Sequence, residues 1–270
     1  MSNKFAVCAI GRLENHYAVE FVEHYLSLGF DKIIVCDNNF GDEEHFEEVL
    51  QPYIDQGSVI IEDWRGVVKA QMNAYSSIYA KYGGEYNILY VDFDEFLTLC
   101  KHKTIKEFVE SFPSDCQCIL INWATYGDNG HIYADYSKPL QERFTEPRPN
   151  AKSQYNFLDD CHVKSLIMGG LGGVRFFGNP HTANTPLVCY HAEGYKCSQS
   201  PFQDIRRNVA YIKHFTTKSL EEYCLGKLQR GTADRDINCF KSTYQGRYFK
   251  INDWTREKAQ YINEHKIFNP

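Results

Sequence analysis

Along the first 97 residues, short apolar runs alternate with amphipathic segments of helical length. The apolar runs are rich in Val, Ile and Leu and predict buried strands at 4–10, 32–36, 58–62 and 86–91. The segments between them predict helices at 15–28, 43–56 and 67–82. Strands that alternate with helices at this spacing indicate an α/β fold with a Rossmann-like, mostly parallel sheet and flanking helices.

The second half of the chain is less regular. Strand-like pieces recur at 118–126, 162–167 and 187–190. The stretch 127–160 is polar and rich in loop residues. A helix is predicted at 219–230, because Ser219 and Glu222 have the spacing of a capping box, in which each side chain bonds the other residue's backbone N–H.

Composition narrows the class of protein. The chain has 270 residues, of which 43% are hydrophobic, so it can bury a sizeable core. The net charge of −6 argues against a nucleic-acid partner and allows at most peripheral membrane contact. Because we find no repeat, linker or low-complexity tract, we expect a single domain over 1–270, with an N-terminal half 1–97 and a second half 98–270.

Cysteine usage and hydropathy predict the cellular location. No apolar run approaches the roughly 18 residues that a membrane span needs, and the N-terminal sequence shows no secretory cleavage pattern. The ten cysteines include no Cys-x-x-Cys pair. We therefore expect reduced thiols and a cytoplasmic protein.

Two carboxylates follow the fourth predicted strand, in the run Asp92-Phe93-Asp94. In a parallel α/β sheet, ligands bind at the carboxyl ends of the strands. Acidic groups at i and i+2 in such a place can bind Mn²⁺ or Mg²⁺, which prefer oxygen ligands and often share them with phosphates. The alternative is a pair of solvated carboxylates at a turn. The position of Asp92 and Asp94 at the end of a strand favours metal binding.

Further charged residues follow the first two strands. Asp37 ends the second strand, where a carboxylate can bind a nucleoside, although an ordinary turn Asp is the competing interpretation. Glu14 and Arg12 follow the first strand and border the same crevice. Arg12 can balance the charge of a phosphate. The alternative for both Glu14 and Arg12 is a surface ion pair, which contributes little to stability.

A basic cluster lies late in the chain, at His214, Lys218, Lys227 and Arg230. Lys218 directly precedes the predicted capped helix, and helix N-termini favour anions. His214 follows a β-like run and can supply a nitrogen ligand to a metal, whereas Lys218 can bind a diphosphate. A purely structural histidine is the alternative.

These residues together resemble glycosyltransferase family 92 and its bacterial family-2-like relatives. The similar segments, in order, are 10–17, 20–25, 28–32, 37–39, 71–75, 90–97, 123–127 and 214–231. Four positions depart from the family pattern, namely Arg12, Leu13, Phe40 and Phe215, where the family has Lys, Asn, Ser and Tyr. Leu13 bears most on how the nucleotide is held.

The resemblance implies a GT-A fold, a divalent metal, and an inverting transfer from a nucleotide sugar, expected to be a UDP-sugar, to a glycan or lipid-linked acceptor. We expect a role in surface or capsular polysaccharide synthesis. Residues 1–97 would form the nucleotide-binding half and 98–270 the acceptor side. By position, the donor-binding residues are Arg12, Glu14, Asp37, Gln71, Asp92, Lys218 and Arg230. The metal ligands are Asp92, Asp94 and His214.

The catalytic base is predicted less directly. Asp128, in the loop after the 118–126 strand, is the first candidate, and Glu193 is the second. Two other functions remain open. A haloacid-dehalogenase-like phosphatase also uses a strand followed by Asp-x-Asp, but normally on the first strand of its domain. A non-catalytic nucleotide-sugar-binding module would have no need of Asp92 and Asp94.

Overall fold

The computed structural model describes residues 3–148, 159–231 and 248–267. Its strands are β1 (Lys4–Gly11), β2 (Lys32–Asp37), β3 (Val59–Asp63), β4 (Tyr86–Asp92), β5 (Glu95–Leu99), β6 (Cys118–Thr125), β7 (Val163–Ile167), β8 (Cys189–His191), β9 (Lys196–Cys197) and β10 (Ala210–His214). Its helices are α1 (Asn15–Ser27), α2 (Glu47–Asp55), α3 (Gln71–Tyr82), α4 (Ile105–Glu110), α5 (Leu140–Arg143), α6 (Leu220–Glu222), α7 (Leu228–Arg230) and the C-terminal helix Arg256–Glu264. A π-helical turn, Tyr223–Lys227, joins α6 to α7, and we call this continuous stretch the 220–230 helix.

The described strands form one mixed sheet in the order β3-β2-β1-β4-β7-β6-β10-β5, with β8 and β9 attached beside β6. The four N-terminal strands β1–β4 are mutually parallel, and β6 pairs with β10 and β8 in parallel. Strands β7 and β5 run antiparallel to their neighbours. The predicted α/β class with a mostly parallel sheet and flanking helices is confirmed, and it is consistent with a GT-A fold.

The first helix shows how the sequence determines the local structure. Tyr17, Phe21 and Tyr25 fall on one face of α1 and are buried against the sheet. The helix ends at Ser27, and Gly29, two residues later, has a φ of +86°, which suits glycine because it lacks a Cβ. The N–H of Phe30 then bonds the carbonyl of Tyr25, which closes the last turn.

Two predicted helices begin later than expected. The 67–82 helix begins at Gln71, because Gly66 and Lys69 have positive φ angles that a right-handed helix excludes. The 43–56 helix begins at Glu47. The preceding carboxylates of Glu43 and Glu44 instead accept hydrogen bonds from the backbone N–H groups of Phe40 and Asn15, which lie outside α2.

Part of the predicted loop region, 127–160, also differs. It contains the short helix α5, whereas residues 149–158 lie outside the described part of the chain. Strand β5, helix α4, strand β9 and the C-terminal helix extend the predicted set, whereas β8 overlaps the strand predicted at 187–190. Every cysteine within the described ranges is a free thiol. In those ranges, no helix combines the length and the apolar character that crossing a bilayer requires.

Candidate active site

The predicted functional residues meet at one edge of the sheet. Gly11 pairs with Asp37 across β1 and β2, and the preceding Ile10 pairs with Asp92 across β1 and β4. On the other side, His214 ends β10 opposite Glu95 of β5. Residues from the ends of these strands therefore face the same crevice.

Phe93 anchors the Asp-x-Asp segment in the core. Its ring stacks on Phe46 at a centroid distance of 4.9 Å and packs on Phe21 at 4.7 Å. Gly11 permits this packing, because a Cβ at that position would lie 2.6 Å from the Phe93 ring. With Phe93 fixed inward, the acidic residues on either side of it are held at the sheet edge.

Asp94 is a buried carboxylate surrounded by cations. Its Oδ2 lies 3.2 Å from Lys227 Nζ and 4.0 Å from Lys218 Nζ, and its Oδ1 lies 3.7 Å from His214 Nε2. Burial by itself raises the pKa of a carboxyl group, but Lys227, His214, Lys218 and Arg230 outweigh it and hold the pKa of Asp94 below its usual value. Asp94 is therefore ionised in the folded protein.

Asp92 is held by a second set of partners. Lys164 Nζ lies 2.8 Å from Asp92 Oδ2, and Gln71 donates to Asp92 Oδ1 at 2.7 Å. The same lysine lies 3.1 Å from Glu95 Oε2. Burial raises the pKa of Glu95 well above its usual range despite the opposing charge of Lys164. Gln71 was predicted at the donor site, whereas Lys164 is buried within a strand and carries no recognisable motif.

An ion-pair and hydrogen-bond network joins Arg12 and Glu14, which follow β1, to Arg230 at the end of the 220–230 helix. Arg230 pairs with Glu14, and Lys218 Nζ lies 3.8 Å from Glu14 Oε2. Arg12 donates from Nε to Glu43 at 2.8 Å and from Nη1 to the Arg230 carbonyl at 3.2 Å. The structure therefore brings the predicted residues Arg12, Glu14, Lys218 and Arg230 into one group beside Asp94.

Asp37 lies on the other side of the edge and is fully buried. Its Oδ2 accepts from Arg65 Nε at 3.0 Å, and its Oδ1 accepts from the backbone N–H of Asn39 at 2.9 Å. Asn39 Oδ1 in turn accepts from the backbone N–H of Leu13 at 2.9 Å. These bonds fix the loops after β1 and β2 against each other at the predicted nucleoside position.

Two non-glycine residues at this site have left-handed backbones. Leu13 has φ of +54° and Lys218 has φ of +55°. Such conformations cost on the order of 1–3 kcal/mol and concentrate at functional sites. At Lys218, the strained backbone accompanies an ammonium that lies 4.5 Å from the centre of the Tyr17 ring, beside Glu14 and Asp94.

A group of ligand atoms suits a divalent cation. Carboxylate oxygens of Asp94 and Glu95 and a ring nitrogen of His214 all lie within 4.8 Å of one another. Oxygen ligands together with one imidazole fit Mn²⁺. Glu95 Oε1 is buried and has no hydrogen-bond partner in the described ranges, as expected of an atom that awaits a ligand. Asp92 is absent from this group, and Glu95 is a member that the sequence did not predict.

Glu14 Oε2 and Arg230 Nε of the group beside Asp94, and Thr217 Oγ1 next to Lys218, are also buried without a hydrogen-bond partner in the described part of the chain. Atoms elsewhere share this property, among them those of Tyr90 and His102. Buried polar atoms in folded proteins nearly always have partners, so each exception needs an explanation. A polar ligand bound in this crevice provides one.

The two predicted base candidates lie in structural contacts. Asp128 pairs with Lys258, accepts from the Tyr248 hydroxyl, and accepts from the Gly130 N–H at 2.9 Å. It thus fastens the C-terminal helix to the loop after β6.

Glu193 accepts backbone N–H bonds at 2.7 and 3.0 Å from Asn208 and Val209, which precede β10. The functional edge lies at the other end of that five-residue strand, roughly 16 Å away at about 3.3 Å per residue. The structure does not bring Glu193 to Asp94.

Comparison with known proteins identifies the family. A family model described as glycosyltransferase family 92 matches residues 3–167, more than half of the chain. No curated protein matches the sequence.

Among solved structures, a crystal structure of S. aureus TarS aligns with 14% identity and a TM-score of 0.34. It covers 49% of this chain and 23% of that one. The structure of S. aureus TarS 1-349 aligns with 16% identity and a TM-score of 0.37, covering 49% and 38%. The chain thus spans well under half of either structure. The match of the family model carries the assignment, and this chain belongs to glycosyltransferase family 92.

Proposed function

We propose that this glycosyltransferase transfers a sugar from a nucleotide sugar, of which a UDP-sugar is the first candidate, to a hydroxyl group of a glycan or lipid-linked acceptor. The observation that carries the proposal is the ionised Asp94, which lies among Lys218, Lys227 and His214 at the carboxyl edge of the sheet. This arrangement offers positive charge for a diphosphate and anionic ligands for a cation at one point.

The donor is proposed to lie along the edge from Asp37 to Arg230. Asp37 and the loop that it fixes would contact the nucleoside. Lys218 and Arg230 would bind the diphosphate, with Arg12 and Glu14 orienting Arg230. Residues 1–97 then supply the nucleoside contact, and 98–270 supply the diphosphate contacts of Lys218 and Arg230 together with the acceptor side. Cations that face the departing phosphate stabilise the charge that develops on it.

Asp94, Glu95 and His214 would hold the divalent cation, for which Mn²⁺ is the first candidate. When bound, such an ion neutralises charge on the diphosphate leaving group. Asp92 remains a proposed ligand or donor contact, because its side chain is 34% exposed and each carboxylate oxygen can accept more than one partner. Lys164 and Gln71 fix its orientation.

Transfer with inversion requires a base on the acceptor side. A carboxylate takes the proton of the acceptor hydroxyl, whose oxygen then bonds the anomeric carbon while the bond from that carbon to the diphosphate oxygen breaks. Asp128 remains the proposed base and Glu193 the alternative. Because Asp128 also holds Lys258 and Tyr248, its replacement should affect stability as well as turnover.

The cellular role is also part of the proposal. Free thiols at the described cysteines support a reducing, cytoplasmic location. The acceptor would then be a precursor of a surface or capsular polysaccharide, reached in solution or by peripheral contact with the membrane.

A thermal-shift screen tests the proposed donor and metal. Nucleotide sugars are added one at a time with and without Mn²⁺, because a ligand that binds only the folded state raises its apparent stability. We expect one nucleotide class to raise the Tm, and to raise it further with Mn²⁺. If no nucleotide sugar raises the Tm in either condition, the donor assignment is wrong.

A further inference from the structure

Lys227 differs from the other cations around Asp94 in how its ammonium is bonded. It donates to Asp94 Oδ2 at 3.2 Å, to the Thr216 carbonyl at 3.1 Å and to Thr216 Oγ1 at 3.2 Å. An ammonium has three N–H donors, so all of them are used within the protein. A phosphate can therefore bind Lys227 only if one of these bonds breaks.

The neighbouring cations are placed differently. Lys218 Nζ lies 3.8 Å from Glu14 and 4.0 Å from Asp94, which is beyond hydrogen-bond distance. Arg230 has a buried Nε without a partner in the described ranges. These two residues retain donors for a diphosphate, whereas Lys227 acts as a counter-ion to Asp94.

The cations that pair with Asp94 and Glu14 outnumber these two carboxylates before any ligand binds. They are Lys218, Lys227 and Arg230. A divalent cation alone adds two positive charges beside them in a buried place, where charges interact strongly. A nucleoside diphosphate brings about three negative charges at neutral pH and restores the balance.

We propose that Lys227 is a built-in counter-ion of Asp94 that makes binding of the divalent cation depend on the nucleotide diphosphate. This inference rests on the proposed function. In the free enzyme, Lys227 neutralises Asp94 and repels the cation. When the diphosphate is present, its charge offsets that of Lys227, and the cation can share Asp94. The two ligands then increase each other's affinity by the same factor, as thermodynamic linkage requires.

The shape of the 220–230 helix supports a dedicated role for Lys227. This residue ends the π-helical turn Tyr223–Lys227, which inserts an extra residue into the helix, and such turns are frequent at functional sites. The capping box of Ser219 and Glu222 fixes the start of the helix. The lysine is thereby held against Asp94 from a helix whose first turn is anchored.

The test measures the Kd of Mn²⁺ directly by isothermal titration, without nucleotide and with saturating UDP. The variants are Lys227→Met, which removes the charge, and Lys227→Arg, which keeps it. Lys196→Met serves as the matched control, because Lys196 is exposed and contacts Asp115 and the Tyr190 ring rather than any residue of the site. Circular dichroism confirms the fold of each variant, and Lys227→Gln replaces Lys227→Met if the latter does not fold.

For the wild-type protein and the control, we expect UDP to tighten Mn²⁺ binding about 10-fold or more. Lys227→Met should bind Mn²⁺ without UDP about 10-fold more tightly than wild type, with a smaller effect of UDP, and Lys227→Arg should bind as weakly as wild type. If Lys227→Met binds free Mn²⁺ no better than wild type, the counter-ion role is wrong and the proposed function stands. If the wild-type protein binds no Mn²⁺ even with UDP, the proposed donor and metal fail, and this inference fails with them.

Discussion

At the scale of single residues, each buried charge of the site has a partner of opposite sign. Lys164 is fully buried, and the carboxylate of Asp92 holds its pKa above the usual value despite burial. Asp94 is kept ionised by its three cations and His214. Removal of one member therefore leaves an uncompensated charge, so substitutions here should affect binding more than their size suggests.

Asp37→Asn tests the nucleoside contact. We expect the donor KM to rise more than kcat falls, because this contact is remote from the reacting bond and is similar in the ground state and the transition state. Steady-state kinetics with varied donor measure the effect. Asp63→Asn is the control. Asp63 Oδ1 also lies near the Arg65 side chain, 4.0 Å from Nε, but the Asp63 side chain is 80% exposed. A loss confined to kcat would contradict the nucleoside role.

His214→Ala tests the metal ligand set. The Mn²⁺ concentration for half-maximal activity should rise about 10- to 100-fold, which is the usual cost of losing a residue that supports a metal. Thermal unfolding of the variant is measured in parallel. The His214 ring also packs on Trp123, with 4.2 Å between the ring centroids. If this packing were its only role, the variant would have a lower Tm and an unchanged metal titration.

Some site residues could be predicted from the sequence because a local motif marks them. Asp94 follows a strand, and His214 precedes a capped helix, and both lie at the site. Lys164 and Arg65 could not be predicted in this way. Their carboxylate partners are 72 and 28 residues away, so only the folded chain shows the pairing.

At the scale of elements, the first four strands were predictable because each is a continuous apolar run between helical segments. Strand β5 was not, since Glu95 follows Asp94 directly and the strand is defined by its pairing with β10, more than 100 residues later. The 220–230 helix was predicted from its capping box, but its π-helical turn has no local sequence signal. Pairing with a distant segment therefore accounts for the missed strand β5.

Glu222 shows how this helix is held, and it makes a testable contribution to stability. Arg143 donates two hydrogen bonds to its carboxylate at 2.8 and 2.9 Å, and the Tyr17 hydroxyl donates another at 2.8 Å. Burial raises the pKa of a carboxyl group, but Arg143 and the hydrogen bonds from Ser219 and Tyr17 outweigh it and lower the pKa of Glu222 from 4.5 to about 2. The ionised form is therefore favoured by folding.

Glu222→Gln should lower the free energy of unfolding at pH 7 by about 3 kcal/mol. The depressed pKa stabilises the fold above pH 4.5, and this contribution is lost as the pH falls from about 4.5 to about 2. Urea unfolding of wild type and variant at several pH values measures the difference. Glu110→Gln, at an exposed ion pair, is the control. A difference between the two proteins that does not shrink at acid pH would contradict the role of Glu222.

At the scale of the whole molecule, the site joins segments from both halves of the chain. The family match ends at residue 167, whereas His214, Lys218, Lys227 and Arg230 come from a later segment. Strand β10 enters the sheet between β6 and β5 and delivers that segment to the Asp-x-Asp edge. The proposed sugar transfer at this edge would therefore require the fold beyond the matched region.

The central claim is metal-dependent transfer from a nucleotide sugar at Asp94. Release of the nucleoside diphosphate from a panel of nucleotide sugars, measured with Mn²⁺ and with a chelator, tests it most directly. The account predicts release from one donor class, lost with the chelator and reduced at least about 100-fold in Asp94→Asn, since this variant loses a charged metal ligand. Release that is equal in Asp94→Asn and wild type, or that does not need the metal, would contradict it.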